Sequence, residues 1–183
     1  MHSSVYVFTR VVGNLELDVA EVLDRFDENK SVDPYKCYLT PEEIAGMAKF
    51  YHRDPTELLA LAQLMERWRG RPGGVDERGL HAISTSNPLG RWDWYEIGGR
   101  FSGLIPGNTT VSQALIDSGK ESINLPSAFI DRRWVWHDRP VGASTSFVAD
   151  SNRNESYDHW REELWWSLRS DPRARIVCVD IHY

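Results

Sequence analysis

The closing stretch Ile176-Val177-Cys178-Val179-Asp180-Ile181-His182-Tyr183 decides the fold. Side chains alternate along a strand, so Val177, Val179, Ile181 and Tyr183 share one face, and Ile176, Cys178, Asp180 and His182 the other. Ser4–Val12 (SVYVFTRVV), at the opposite end of the chain, also reads as a strand, with β-branched and aromatic residues and almost no breaks. These first and last strands are expected at the centre of a single antiparallel or mixed sheet of about five or six strands. The class is α+β, with helices mostly on one face.

Working inward, Val19, Val22, Leu23 and Phe26 recur at helical spacing after Asp18 and predict a short helix packed on the first strand. Asp27–Leu39 is polar, broken by Pro34, and reads as a loop. Thr40-Pro41-Glu42-Glu43 is a helix start: an N-cap hydroxyl, a first-turn proline and a capping-box glutamate. Ile44, Met47, Ala48 and Tyr51 form the buried stripe of that helix. Asp54-Pro55-Thr56-Glu57 repeats the device before a second helix, with Leu58, Leu61, Ala62, Met65 and Trp68 on one face. Gly70–Gly74 reads as a loop inside one domain spanning residues 1–183, because neither side alone has enough strands for a sheet.

Further along, Leu80–Ser84 and Phe101–Ile105 read as strands, Pro106–Asn108 as a turn, and Val111–Gly119 as weakly helical. Ser127–Asp131 and Trp134–His137 predict a hairpin, and Gly142–Ser146 a small polar flap. Glu155–Leu168 predicts a helix with Tyr157, Trp160, Leu164 and Leu168 inside, stopped by Asp171-Pro172.

Composition bounds the function. With 183 residues, 41% hydrophobic and 26% charged, the chain is ordinary for a globular protein. A net charge of −6 opposes a nucleic-acid partner, since no broad basic field exists. No apolar run reaches the length of a membrane span and no signal-peptide core is present, so a cytoplasmic protein without a membrane partner is expected. Cys37 and Cys178 are too few for a disulfide framework, and Cys178 reads as a small buried hydrophobe. HExxH, CxxC, GxSxG, Walker and dinucleotide motifs are missing, and six histidines lack metal-ligand spacing. The expectation is no cofactor and no metal.

The stretch Asn87–Phe101 (NPLGRWDWYEIGGRF) carries the densest chemistry. Arg91 and Arg100 offer planar forks for carboxylate, phosphate or sulfate. Gly98 and Gly99 permit positive φ, and exposed N–H groups there would make a small anion nest. Trp92, Trp94 and Tyr95 supply water-excluding walls, where Asp93 or Glu96, desolvated, would act as a base. Asp131 and His137, brought near each other by the hairpin, form a second proton-transfer candidate, and Asp180 with His182 a third. Each has a structural counterpart: aromatics cluster in cores, Gly-Gly is a common turn, and an Asp beside an Arg braces loops.

The segments Phe26–Tyr35 (FDENKSVDPY), Ser84–Phe101 (STSNPLGRWDWYEIGGRF), Ala128–Asp138 (AFIDRRWVWHD) and Ile176–Tyr183 occur in this order in a family of small proteins encoded by actinobacterial phages and their hosts, which the chain resembles. The most specific part is the core Asn-Pro-x-x-Arg-Trp-Asp-Trp-Tyr-x-Ile-Gly-Gly-Arg. After His137 the chain departs from the family's glycine-, methionine- and tryptophan-rich turn, continuing Asp138-Arg139-Pro140-Val141. The resemblance implies shared architecture rather than a particular activity.

Taken together, these features predict a cofactor-free enzyme, or an enzyme subunit, acting on a small anionic metabolite in actinobacterial specialised metabolism. Asp131 or Asp93 would take a proton while Arg100 and Gly98-Gly99 hold a departing sulfate or phosphate. Elimination or ring closure, such as aziridine formation, fits these parts. Two rivals stand beside it: a phage-type accessory protein that captures a nucleotide or other anionic ligand, and an interaction module in a homo- or hetero-oligomer.

Overall fold

A computed structural model describes residues 1–9, 13–105, 109–111, 113–114, 125–140 and 155–183. The elements are β1 (His2–Thr9), α1 (Leu15–Asp24), β2 (Ser31–Tyr38), α2 (Pro41–Tyr51), α3 (Leu58–Arg69), β3 (Gly73–Asp76), β4 (Gly79–Ser86), β5 (Trp94–Ile97), β6 (Thr109–Thr110), β7 (Ala128–Ile130), β8 (Trp136–Asp138), α4 (Glu155–Ser170) and β9 (Arg175–His182). They make two compact units, residues 1–28 with 89–183, and residues 29–88. The class is α+β as expected, but the strands form two sheets rather than one.

In the first unit β1 and β9 pair antiparallel from His2 opposite His182 to Thr9 opposite Arg175. They lie inside a six-stranded sheet ordered β5-β9-β1-β7-β8, with β6 also on β9. The sheet is mixed, because β7 runs parallel to β1. The alternation read from the sequence sorts the core. Tyr6, Phe8, Phe129, Ile176 and Cys178 pack with Trp160, Leu164 and Leu168 of α4. Val5, Val7, Val177, Val179 and Ile181 pack with Val19, Val22 and Leu23 of α1. Helices therefore cover both faces, which corrects the one-sided expectation. A strand apolar on both sides needs cover on both, and each buried Val, Leu or Phe contributes about 1.5–3 kcal/mol. Among the described residues no helix is long and apolar enough to cross a membrane.

The 3-10 turn Gly99–Phe101 replaces the strand expected over Phe101–Ile105. Gly98 and Gly99 (φ 76° and 46°) reverse the chain there, and Phe101 N–H donates to the Gly98 carbonyl at 2.9 Å. The hairpin is present as expected, with Phe129 opposite His137. Arg10–Val12 of the expected first strand, Pro106–Asn108, most of Val111–Gly119 and the Gly142–Ser146 flap lie outside the described residues.

The second unit is a three-stranded sheet, β2-β4-β3, with α2 and α3 on a core of Met47, Ala48, Leu61, Met65 and Leu80. Thr40 closes the predicted capping box: its Oγ1 accepts from Glu43 N–H at 3.2 Å, and its N–H donates to Glu43 Oε2 at 2.7 Å. Asp54 behaves differently. Its Oδ1 accepts from Thr56 N–H and Oγ1 at 2.8 and 2.6 Å, a local turn, and α3 begins only at Leu58 without a side-chain cap.

Two loop expectations give way to strands. Asp27–Leu39 contains β2, an edge strand whose register shifts between Ser31 and Tyr35; Pro34, lacking an N–H, sits in that irregularity. Gly70–Gly74 ends in β3, where a Cβ on Gly73 would lie 2.7 Å from the His81 carbonyl oxygen, so only glycine fits. Asp76 ties the outer strands across β4, accepting from Lys36 Nζ at 2.7 Å and Tyr38 OH at 2.9 Å. The Lys36 ammonium, the Arg78 N–H and the Tyr38 hydroxyl together hold the Asp76 carboxyl below its ordinary pKa.

Candidate acid–base site

The Asn87–Phe101 stretch divides between scaffold and surface. Trp92 is buried; its Nε1–H donates to the Leu23 carbonyl at 3.1 Å and its ring meets Tyr95 edge-on at 5.1 Å. These two residues belong to the core on the α1 side, not to a ligand wall. Trp94 is the exposed tryptophan of the stretch, 48% accessible. The Glu96 side chain is exposed and makes no hydrogen bond or ion pair with any described residue. Arg91, also exposed, donates from Nη1 to the Gly90 carbonyl at 3.0 Å, and its Nε stands 3.7 Å from Asp138 Oδ2.

The Gly98-Gly99 turn does hold an anion, but the anion belongs to the protein. Arg100 N–H donates to Asp180 Oδ2 at 3.1 Å, and a Cβ on Gly99 would stand 2.5 Å from Asp180 Cβ. The expectation that this turn cradles a substrate anion is corrected: the Asp180 carboxylate fills it. The Arg100 side chain points out, exposed, and pairs with no described residue.

From Asp180 the site builds outward. Its Oδ1 lies 2.9 Å from His2 Nδ1, while its side chain is only 1% exposed. Next to it, His182 Nδ1 lies 2.8 Å from Asp93 Oδ1. The β1–β9 register sets His2 against His182, and their rings meet at 5.2 Å between centroids, with Trp94 edge-on to His2 at 6.1 Å. An ionised carboxylate can only accept, so its place at Nδ1 favours the neutral tautomer with the proton there and the lone pair on Nε2, the form a general base needs. No described residue bonds either Nε2. Two oriented imidazoles side by side allow one to accept a proton and the other, once protonated, to deliver one.

Cys178, two residues before Asp180 on the same face, is no nucleophile: burial and the Asp180 charge push its pKa up to about 12. Among the described residues, no group of three or more His, Cys, Asp or Glu side chains is placed to hold a metal.

Asp131 and His137 do come together, with Nε2 3.4 Å from Asp131 Oδ2, but as a brace. Asp131 also accepts from Val135 N–H at 3.0 Å, Arg133 N–H at 2.9 Å and Arg133 Nε at 2.8 Å. Burial alone raises its pKa, yet the bonds from Val135, Arg133 and His137 outweigh it and hold the carboxyl below the ordinary value. A carboxylate so fully bonded is a poor base, which corrects the role expected for Asp131. His137 stacks on Phe129 at 4.4 Å, part of the same packing. Sequence reading placed Asp93 and His182 in different clusters and missed His2; only the pairing of the chain's two end strands brings all three together.

No family model, curated protein or solved structure matches the chain.

Proposed function

We propose that the first unit carries a cofactor-independent acid–base site acting on a small anionic metabolite. The observation that carries this reading is the pair of imidazole–carboxylate couples, His2–Asp180 and His182–Asp93, with rings 5.2 Å apart and both histidines partly open to solvent. One imidazole Nε2 takes a proton from the substrate. The released electron pair forms the new bond, a C=C in elimination or a C–N in ring closure, as the C–O bond to sulfate or phosphate breaks. The second imidazole, protonated, and the exposed Arg100 guanidinium offset the charge on the leaving anion. Trp94 supplies an apolar wall beside His2.

The test is turnover. Wild-type protein is incubated with a fractionated actinobacterial metabolite extract and followed by mass spectrometry, beside His2→Gln and His182→Gln. A species that loses the mass of sulfuric or phosphoric acid with wild type, and persists with both variants, supports the reading. Equal conversion by all three proteins, or conversion by none, removes it.

A further inference from the structure

The opposite face of the same sheet holds a cleft of about 650 Å³, within the range of about 300–1,000 Å³ usual for small-molecule sites. Val5, Ala128 and Ile181 from three adjacent strands back it, each buried in the α1-side core. Trp136 and Tyr183 add aromatic surface. Two cations and two anions line the same space, Arg91 and Arg139 with Glu28 and Asp138. Their pairing is loose and solvent-exposed, so a ligand can displace it. Arg91 Nε reaches Asp138 Oδ2 only at 3.7 Å, and Arg139 Nη1 makes a long 3.5 Å contact with the Leu125 carbonyl. Asp138 instead accepts from Trp136 Nε1 at 2.7 Å and stays 65% exposed.

We propose that this cleft binds a small aromatic zwitterion, a molecule carrying both a carboxylate and an ammonium group. The accessible rings of Trp136 and Tyr183 offer faces and edges on which a flat ring packs. A lining with equal numbers of both signs offers no net field to a simple anion, whereas a ligand with its own opposite charges meets both. The guanidinium forks take the carboxylate, and Glu28 and Asp138 take the ammonium. The site is separate from the His2–His182 pair, which lies on the α4 face, so either can fail without the other.

The test uses L-tryptophan, tryptamine and indole-3-propionate as probes in calorimetric titrations of the full chain. Saturable binding of L-tryptophan is expected, with each singly charged analogue about tenfold weaker or more, as loss of a charge-assisted hydrogen bond implies. Arg91→Met/Arg139→Met should weaken L-tryptophan and indole-3-propionate but spare tryptamine. Glu28→Gln, an exposed change that leaves folding intact, should weaken L-tryptophan and tryptamine but spare indole-3-propionate. No saturable binding, analogues that bind as well as L-tryptophan, or Glu28→Gln protein that binds like wild type would each overturn the proposal.

Discussion

His2 and His182 face each other across the β1–β9 ladder, ring centroids 5.2 Å apart, and each is gripped at Nδ1 by a different carboxylate. The two carboxylates are held differently. Asp180 is buried and also accepts the Arg100 N–H, so it is fixed by the backbone of the Gly98-Gly99 turn. Asp93 precedes β5 and is anchored through its own N–H, which donates to the His182 carbonyl at 3.0 Å. The arrangement makes His2 the more rigidly oriented imidazole and His182, at 41% side-chain exposure, the more accessible one.

Asp180→Asn tests the orienting role. An amide can still accept from Arg100 N–H, but its NH2 then faces His2 Nδ1 and favours the Nε2–H tautomer, which has no lone pair toward substrate. Turnover should fall by about 10²–10⁴-fold, the usual weight of a positioned general base. Long-range ¹H–¹⁵N NMR reads the tautomer directly: wild-type His2 should carry its proton on Nδ1. A wild-type spectrum showing Nε2–H on His2 would contradict the mechanism before any substrate is known.

Much of this arrangement is legible from the sequence alone. Alternation in Ile176–Tyr183 separates its two faces as the core clusters do, and helical spacing finds Val19, Val22 and Leu23 and, in α4, Trp160, Leu164 and Leu168. What stays hidden depends on long-range register. Residues 2 and 182 become neighbours only once the end strands pair, a contact with no local signal. Likewise, nothing near Gly99 announces that its anion comes from Asp180. The β2 and β3 edge strands escape because Pro34 and Gly73-Gly74 are strong loop formers overridden by pairing to β4.

Two glycines should respond to alanine in opposite directions. Gly99 has φ 46°, and an added Cβ would overlap Asp180 Cβ at 2.5 Å. Gly99→Ala should therefore destabilise by more than the roughly 1–3 kcal/mol of backbone strain alone. Gly46 lies within α2, and a methyl group added there would meet nothing within 4 Å. Gly46→Ala should add about 0.5–1 kcal/mol through helix propensity. Urea unfolding of both variants checks the pair; a neutral Gly99→Ala would show that the turn relaxes away from Asp180.

Asp131 predicts a pH-dependent contribution to stability. Its folded-state pKa is depressed, so the stabilisation is fully present above the unfolded carboxylate value of about 4 and is lost as pH falls through the lower folded value. Asp131→Asn should thus cost most at neutral pH, with the gap to wild type closing in acid. Denaturation midpoints at pH 7, 5 and 3 measure it (a gap that widens toward pH 3 would have the wrong sign).

The tryptophans of the central stretch should separate scaffold from site. Trp92 is buried, and its indole N–H satisfies the Leu23 carbonyl near the end of α1. Trp92→Phe keeps an aromatic ring but removes one of two donors to that carbonyl, which still accepts from Phe26 N–H at 2.8 Å, so the loss should be about 0.5–1.5 kcal/mol for the missing hydrogen bond plus the lost packing of the larger ring. Trp94 is 48% exposed and touches His2 edge-on. Trp94→Ala should change stability by no more than about 0.5 kcal/mol, as surface substitutions do. Its effect belongs instead to turnover at the paired imidazoles. Thermal unfolding of the two variants, run beside the extract assay, distinguishes the roles. Should Trp94→Ala unfold the protein as readily as Trp92→Phe, Trp94 is packing material and the wall beside His2 is not a substrate surface.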